Sequence, residues 1–340
     1  MTGTRKPKRV TVVGGGAFGT ALAQLCGRQG VEVRMWVMEE HARDAINNDH
    51  ENKPFLPGCP LSDTITAHKE VSEALVDTEM VLFVIPTPFF RSFLVANRTL
   101  FPVDVPLVLC SKGIENDSLD TPYEIASEEL PGKYLRNLAC ISGPSFALEV
   151  AQNQPTSVTC AAVREEIALT VQHYLSDIMF RVYVGDDIIG AELAGAVKNV
   201  LAIACGASDG FGFGYDARAA LITRGLAELR RLVVAKGGKE STLMGLAGVG
   251  DLVLTCTGTL SRNYQTGKAL AEGKSIDDIR NSSKAIAEGV FTAKSIYQMQ
   301  ERTKVDMPIC GAVYKVIYEG CSIKDALHTL QSRELKKEGY

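Results

Sequence analysis

Hydrophobic and polar positions keep one rhythm in the first half of this chain and another in the second. Short apolar runs come first: "RVTVV" at residues 9–13, "VEVRMWV" at 31–37, "MVLFVI" at 80–85, then "PLVLCSKG" and "LRNLACISGP". Each has the length and composition of a buried strand. Between them, "AFGTALAQLCGRQG", "EEHARDAINN", "FFRSFLVAN" and "SFALEVAQ" carry helical spacing, and Gly30 is a good stop for the first. Strand and helix alternating in this way predict an α/β fold, a doubly wound, mostly parallel sheet with helices on both faces. After Ile188 the strand-like alternation ends. Long helical patterns follow at 188–207, 217–235, 261–272, 285–302 and 311–319. The pattern therefore predicts two domains, a sheet domain over 1–187 and an all-helical C-terminal domain over 188–340. A chain of 340 residues is also long for a single core.

The turn after the first strand reads "VVGGGAFGTAL", which is GxGxxG at Gly14, Gly16 and Gly19. A strand precedes it and a helix follows, the context that gives this short motif its meaning. Gly14 allows the tight turn, Gly16 lets a pyrophosphate approach the backbone, and Gly19 lets the helix pack against the strand. The motif makes the sheet domain Rossmann-type and predicts a bound dinucleotide. Glu39, twenty residues past Gly19, is placed to accept a ribose hydroxyl, which favours NAD, with NADP possible. Its other reading is a carboxylate at the start of the next helix, stabilised there by the dipole.

Polar chemistry gathers at a few further points. Lys112 follows an apolar strand, and "SGPS" places Gly143, Pro144 and Ser145 at the expected start of a helix, with Pro at the first helical position. "IIGAELAGAVKNVLAIACGASDG" is almost wholly apolar or small, yet Lys198 and Asn199 sit in its middle. An enzyme that reduces a ketone needs a proton donor for the carbonyl oxygen. No His lies in a site-like stretch, and burial would lower the pKa of Lys198 towards neutrality. The alternative is a lysine whose stem packs in the core while its head reaches solvent. Asp251, between glycines and an apolar run, is a carboxylate that could orient Lys198. Ser261 is a candidate N-cap, and Arg262 and Asn263 beside it would suit a phosphate.

Composition narrows the partners. The apolar share of 46% and charged share of 22% are ordinary, and a net charge of −4 gives no sign of nucleic acid. "RKPKR" near the start reads as a solvated terminus. No apolar run reaches the ~20 uncharged residues that a bilayer span needs, so no membrane partner is expected. Nine Cys without a CxxC pair read as small buried hydrophobes in a reducing compartment, and five scattered His predict no metal. The first residues lack the apolar run of a secretory signal, which leaves the cytosol as the expected location.

The order of "GGGAFGTALA", "CSKGIE", "SGPSFALEVA", "AVKNVLAI", "ARAALITRGLAEL", "GLAGVGDLVLTC", "SRN" and "AEGV" resembles the NAD(P)-dependent glycerol-3-phosphate dehydrogenases, the bacterial and trypanosomatid branch most of all. The resemblance implies a cytosolic or glycosomal enzyme, commonly a homodimer. It would interconvert sn-glycerol 3-phosphate and dihydroxyacetone phosphate with NAD(P). It implies that Lys198 transfers the proton, with Lys112 and Asp251 as further catalytic groups. Substrate contacts would fall on Lys112, Gly143, Ser145, Lys198, Asp251, Ser261, Arg262 and Asn263. Cofactor contacts would fall on Gly14, Gly16, Ala17, Phe18, Gly19, Met38, Phe89, Lys112, Ala147, Arg262, Ile286 and Glu288. Met38 is a departure, because relatives often carry an aromatic residue or His there. The ending "KKEGY" is no targeting tripeptide, so a glycosomal location is not expected. The alternatives are another two-domain hydroxy-acid or phosphogluconate-type dehydrogenase, and a non-catalytic dinucleotide sensor.

Overall fold

Among the described residues, 5–282, 287–335 and 337 of the computed structural model, eight strands join in one sheet. In chain order the elements are β1 (Arg9–Val13), α1 (Ala17–Gly27), β2 (Glu32–Trp36), α2 (Glu40–Asp49), β3 (Ile65–His68) and α3 (Val71–Ala74). They continue with β4 (Val81–Phe83), α4 (Thr87–Asn97), β5 (Leu107–Leu109), α5 (Pro122–Glu129) and α6 (Gly132–Leu135). Then come β6 (Leu138–Ser142), α7 (Ala147–Ala151), β7 (Thr156–Ala162), α8 (Glu165–Leu175) and β8 (Phe180–Gly185). The strand order is β3-β2-β1-β4-β5-β6-β7-β8, parallel throughout except where β7 runs against β6.

The central strands are apolar on both faces, as parallel strands covered by helices must be. Val10, Val12, Val33, Met35, Leu82 and Val108 are buried in one cluster with Leu22 and Leu25 of α1. Val13 pairs with Trp36 on one side and Phe83 on the other, so β1, β2 and β4 end level. Strand order reverses at β1, with β2 on one side and β4 on the other, and such a reversal opens a crevice at the carboxyl ends of the strands.

Three strands lie outside the apolar runs of the sequence. β3 is four residues at the sheet edge, and β8 alternates, with Phe180 and Val182 buried and Arg181 and Tyr183 exposed. β7 carries two Thr and a Ser among its seven residues, which blurs an apolar run.

The second unit is helical. It contains α9 (Ile188–Gly210), α10 (Tyr215–Ala235), a 3₁₀ turn (Glu240–Met244), a π turn (Leu246–Gly250) and α11 (Asp251–Thr257). α12 (Arg262–Ala271), α13 (Ile276–Ser282), α14 (Glu288–Thr303), α15 (Pro308–Tyr318) and α16 (Ile323–Gln331) complete it. α9 is long and apolar enough to cross a membrane, but 89% of its most apolar window is buried in the fold, which marks a core helix. Leu193, Val197, Val200 and Leu201 pack there with Leu229, Leu252 and Ile296.

The chain divides after Ile188, and one further segment inside the sheet half crosses over to the helical unit. Lys112–Thr121 packs with the helical unit, while residues up to Ser111 and Pro122–Ile188 form the sheet unit. Ile114 and Leu119 enter the helical core, and the Ser295 hydroxyl donates to the Ile114 carbonyl at 2.8 Å. No local pattern in "KGIENDSLDT" announces this, because the helical core it joins is built from residues 193–313.

α9 and α12 meet backbone to backbone. A Cβ on Gly206 would lie 1.9 Å from the Tyr264 carbonyl oxygen, and one on Gly267 would lie 2.0 Å from that of Ile203. Gly206→Ala must push the helices apart, so we expect a loss of ~1–3 kcal/mol, read as a lowered denaturant midpoint with an unchanged slope.

Candidate active site

The glycine turn has the shape its sequence demands. Gly14 has φ +126°, and a Cβ there would lie 2.5 Å from the Val84 carbonyl oxygen. A Cβ on Gly19 would lie 2.1 Å from the Gly14 carbonyl oxygen, so any other residue would lift α1 off the turn. Gly16 differs: nothing lies within 4 Å of its Cβ position. That open side is where a pyrophosphate would approach. Gly16 is also the N-cap of α1, with no side-chain cap and no acidic residue in the first turn. The unfilled N–H groups and dipole of an eleven-residue helix suit an anion there, so the residues present fit a dinucleotide.

Ala17 and Phe18 open α1. Met38 follows β2 and is 73% exposed; Phe89 lies in the first turn of α4, after β4, and is 63% exposed. Both present apolar surface just past strand ends. Glu39 is the N-cap of α2, yet its carboxylate makes no capping bond. Arg43, one turn on, donates to the carbonyls of Val37 and Met38 at 2.9 and 2.7 Å.

Gly143 follows β6 with φ +145°, and the Ser145 hydroxyl donates to its carbonyl at 3.0 Å. The helix start expected here is displaced. α7 begins at Ala147 and spans five residues, so Pro144 stands in the turn before it rather than at the first helical position. Extended backbone at Phe146, the N-cap, sets that start.

In the helical unit, three charged side chains from separate segments meet. Lys198 of α9 donates to Asp251 Oδ1 at 2.5 Å, and Lys112 donates to Asp251 Oδ2 at 2.8 Å. Asp251 is 1% exposed and Lys198 6%, so Lys198 does not reach solvent with its head. The π turn "LAGVG" delivers Asp251. Gly248 there takes a non-helical conformation (φ −93°, ψ −105°), and a Cβ on it would lie 2.2 Å from the Leu243 carbonyl oxygen.

Two ammonium groups on one carboxylate do not titrate alike. Burial pushes Lys198 down to about 8, helped by Lys112 and opposed by Asp251. Burial also acts on Lys112, but Asp251 outweighs it and holds that ammonium above the usual lysine range. Burial would raise Asp251, and its two lysines reverse this and hold it low. Lys198 is thus the member that can lose and regain a proton near neutrality.

Two residues that the sequence reading left out of the site complete it. Thr255, one turn past Asp251, accepts from Lys198 at 3.1 Å while donating to the Asp251 carbonyl at 2.7 Å. Its i+4 spacing from Asp251 was the available signal. Asn199 accepts from the Asn263 amide at 2.9 Å, and Asn263 Oδ1 accepts from the Gly289 N–H at 2.9 Å. These bonds tie α9, α12 and the start of α14 together. Glu288 lies at 3.4 Å from Asn199 Nδ2, its pKa raised by burial against Arg262, Lys112 and Lys198.

Ser261 caps α12, accepting from the Tyr264 N–H at 3.2 Å. Its bond leaves the N–H groups of Arg262 and Asn263 at the helix start, and the Arg262 side chain is exposed beside them. The structure therefore gathers Lys112, Lys198, Asp251, Asn263 and Glu288 in one network of the helical unit. The glycine turn, Met38, Phe89, Gly143, Ser145 and Ala147 belong to the sheet unit. Ile286 lies outside the described residues.

A Rossmann-type sheet with an anion-ready glycine turn, together with a helical unit holding a buried lysine of lowered pKa, defines a two-domain nicotinamide-dependent dehydrogenase. Residues 9–168 match the family model for the NAD-dependent glycerol-3-phosphate dehydrogenase N-terminus, and residues 187–328 match that for its C-terminus. The glycerol-3-phosphate dehydrogenase [NAD(P)+] of Myxococcus xanthus is 45% identical over 97% of this chain and 98% of its own. That of Anaeromyxobacter dehalogenans is 46% identical over 97% and 99%. The crystal structure of the Coxiella burnetii glycerol-3-phosphate dehydrogenase superposes with a TM-score of 0.91 at 36% identity, covering 96% of this chain and 99% of that one. The chain belongs to the NAD-dependent glycerol-3-phosphate dehydrogenase family, whose members use NAD or NADP.

Proposed function

We propose that the chain interconverts sn-glycerol 3-phosphate and dihydroxyacetone phosphate, with Lys198 carrying the proton. The observation that carries this is the Lys112–Asp251–Lys198 arrangement, one carboxylate buried between two lysines of opposite pKa shift. NAD(H) held at the glycine turn of Gly14, Gly16 and Gly19 would supply or accept the hydride at C2. In ketone reduction, Lys198 Nζ gives its proton to the C2 oxygen as that oxygen becomes negative, leaving a neutral amine. In alcohol oxidation the amine takes the hydroxyl proton. Lys112 stays protonated in both directions and stabilises the developing oxyanion. Asp251 holds both amines in place and, with Thr255, fixes the direction of the Lys198 N–H bonds. Arg262 and the first N–H groups of α12 hold the substrate phosphate, so binding energy remote from C2 positions the reacting carbon.

Glu39 supports NAD(H) over NADP(H). Its carboxylate would accept from ribose hydroxyls and repel a 2′-phosphate. Arg43, which could answer that phosphate, is tied to two backbone carbonyls. Assembly as a homodimer in the cytosol belongs to the same proposal, and sedimentation velocity tests the dimer.

The direct test is absorbance at the NADH band with dihydroxyacetone phosphate, run with NADH and NADPH in parallel and against a panel of 2-keto acids, with phosphogluconate run against NAD+ and NADP+. Turnover on a panel member but not on dihydroxyacetone phosphate would overturn the substrate assignment. Arg262→Ala should raise KM for dihydroxyacetone phosphate about 10- to 100-fold, the loss of charge-assisted bonds of ~1.5–3 kcal/mol. Dihydroxyacetone, which lacks the phosphate, should be hardly affected, and an equal effect on both would remove Arg262 from the clamp.

A further inference from the structure

"GGG" at residues 14–16 is a backbone with little preference of its own, since three consecutive glycines rotate without a Cβ penalty. Something outside the turn has to choose its conformation. Asn52, in the loop after α2, is completely buried. Its Nδ2 donates to the Gly15 carbonyl at 2.8 Å and to the Thr20 hydroxyl of α1 at 2.7 Å. One amide group therefore bridges the turn and the helix that follows it.

Asn52 is itself held firmly. Its carbonyl accepts from the N–H groups of Phe55 at 3.2 Å and Leu56 at 2.8 Å, and the loop closes where the Leu61 N–H donates to the His50 carbonyl at 2.7 Å. Leu56, Cys59 and Leu61 anchor the loop in the core of the sheet unit. Asn52 Oδ1 is buried and has no hydrogen-bond partner among the described residues. An apolar side chain would carry no such penalty, so the side chain's contribution lies in its two donated bonds.

In a trans peptide, C=O and N–H point in opposite directions. With the Gly15 oxygen held by buried Asn52, the Gly16 N–H of the same peptide points the opposite way, away from Asn52, and no atom lies within 4 Å of the Gly16 Cβ position. We propose that Asn52 is a positioning residue for the dinucleotide: it locks the Gly15–Gly16 peptide plane so that its N–H meets the pyrophosphate. Without Asn52 the plane can turn over and present a carbonyl oxygen to the phosphates.

The inference rests on the dehydrogenase reading, which the unmodified protein tests separately by binding NADH and turning over dihydroxyacetone phosphate. Asn52→Asp keeps the shape but cannot donate to the Gly15 oxygen. Calorimetry with NADH and with ADP-ribose, which has the pyrophosphate but no nicotinamide, should show both dissociation constants raised by ten-fold or more and by similar factors. KM for NADH should rise by a larger factor than kcat falls. Thr20→Val removes one of the two acceptors and serves if Asn52→Asp does not fold. It should weaken ADP-ribose several-fold. Leu56→Ala, which loosens the same loop, should lower thermal stability and leave ADP-ribose affinity as it was. The proposal is overturned if folded Asn52→Asp or Thr20→Val binds ADP-ribose normally, or if Leu56→Ala weakens it as much as they do.

Discussion

Lys198→Ala should lower kcat by 100-fold or more, the range that a positioned proton donor contributes. Calorimetry should still show NADH binding, because the glycine turn and its supports belong to the other unit. The fold should survive, since Asp251 keeps Lys112 at 2.8 Å and no buried charge is left alone. Lys198→Arg should fail almost as badly, because a guanidinium keeps its proton at any working pH. The pH dependence has a sign that follows from direction. Ketone reduction needs the ammonium form, so kcat/KM for dihydroxyacetone phosphate should fall as pH rises through about 8. Oxidation of glycerol 3-phosphate needs the amine, so its kcat/KM should rise over the same interval. Matching profiles in both directions, or full turnover in Lys198→Ala, would mean that the proton travels another way.

Asp251→Asn should cost both stability and turnover. The amide keeps the shape of the carboxylate but strands two buried ammonium groups, with Glu288 the carboxylate left in the network. Breaking a buried ion pair typically costs about 3–5 kcal/mol. Here part of that cost can be escaped by deprotonation. Burial and Lys112 both lower Lys198, and losing Asp251 removes the charge that opposes them. Lys198 should then sit mostly as the neutral amine at neutral pH, unable to donate. The stability loss should accordingly be larger at pH 6, where protonation is forced, than at pH 9. Thermal melts of the variant at the two values, each against the unmodified protein, measure this directly. An equal loss at both would show that the two lysines are not what Asp251 balances.

The fold and part of this site could be read from residues alone because both leave local marks. "VVGGGAFGTAL" encodes strand, turn and helix within eleven positions; Gly14 and Gly19 are explained by atoms a side chain would strike, and Gly16 by the open space beside it. Lys198 stands out because an apolar helix surrounds it. Asp251, 53 residues away, could be picked out as a carboxylate able to orient it, but only the folded chain shows that it is shared with Lys112. Asn199 stands out beside Lys198, but its partner Asn263 lies 64 residues on, and Thr255 is a polar residue in a helix like many others; the roles of both depend on contacts across helices. Asn52 is hidden for the same reason: it is one polar residue in a loop "NDHENKPF", and its bonds reach back 37 and 32 positions. Pro144 misled because Pro marks the first turn of many helices, whereas here α7 begins only at Ala147, after extended backbone at Phe146.

The backbone leaves the sheet unit after Ser111, returns after Thr121 and leaves again after Ile188. No single cut can therefore release two intact halves. A fragment beginning at Ile189 would lack Lys112 and leave Asp251 with one cation instead of two. A chimera made by exchanging everything beyond residue 188 with a relative would join that relative's helices to a foreign ten-residue insert. Recombination between such enzymes would have to trade two pieces of gene at once to keep the Lys112–Asp251–Lys198 cluster of one parent whole.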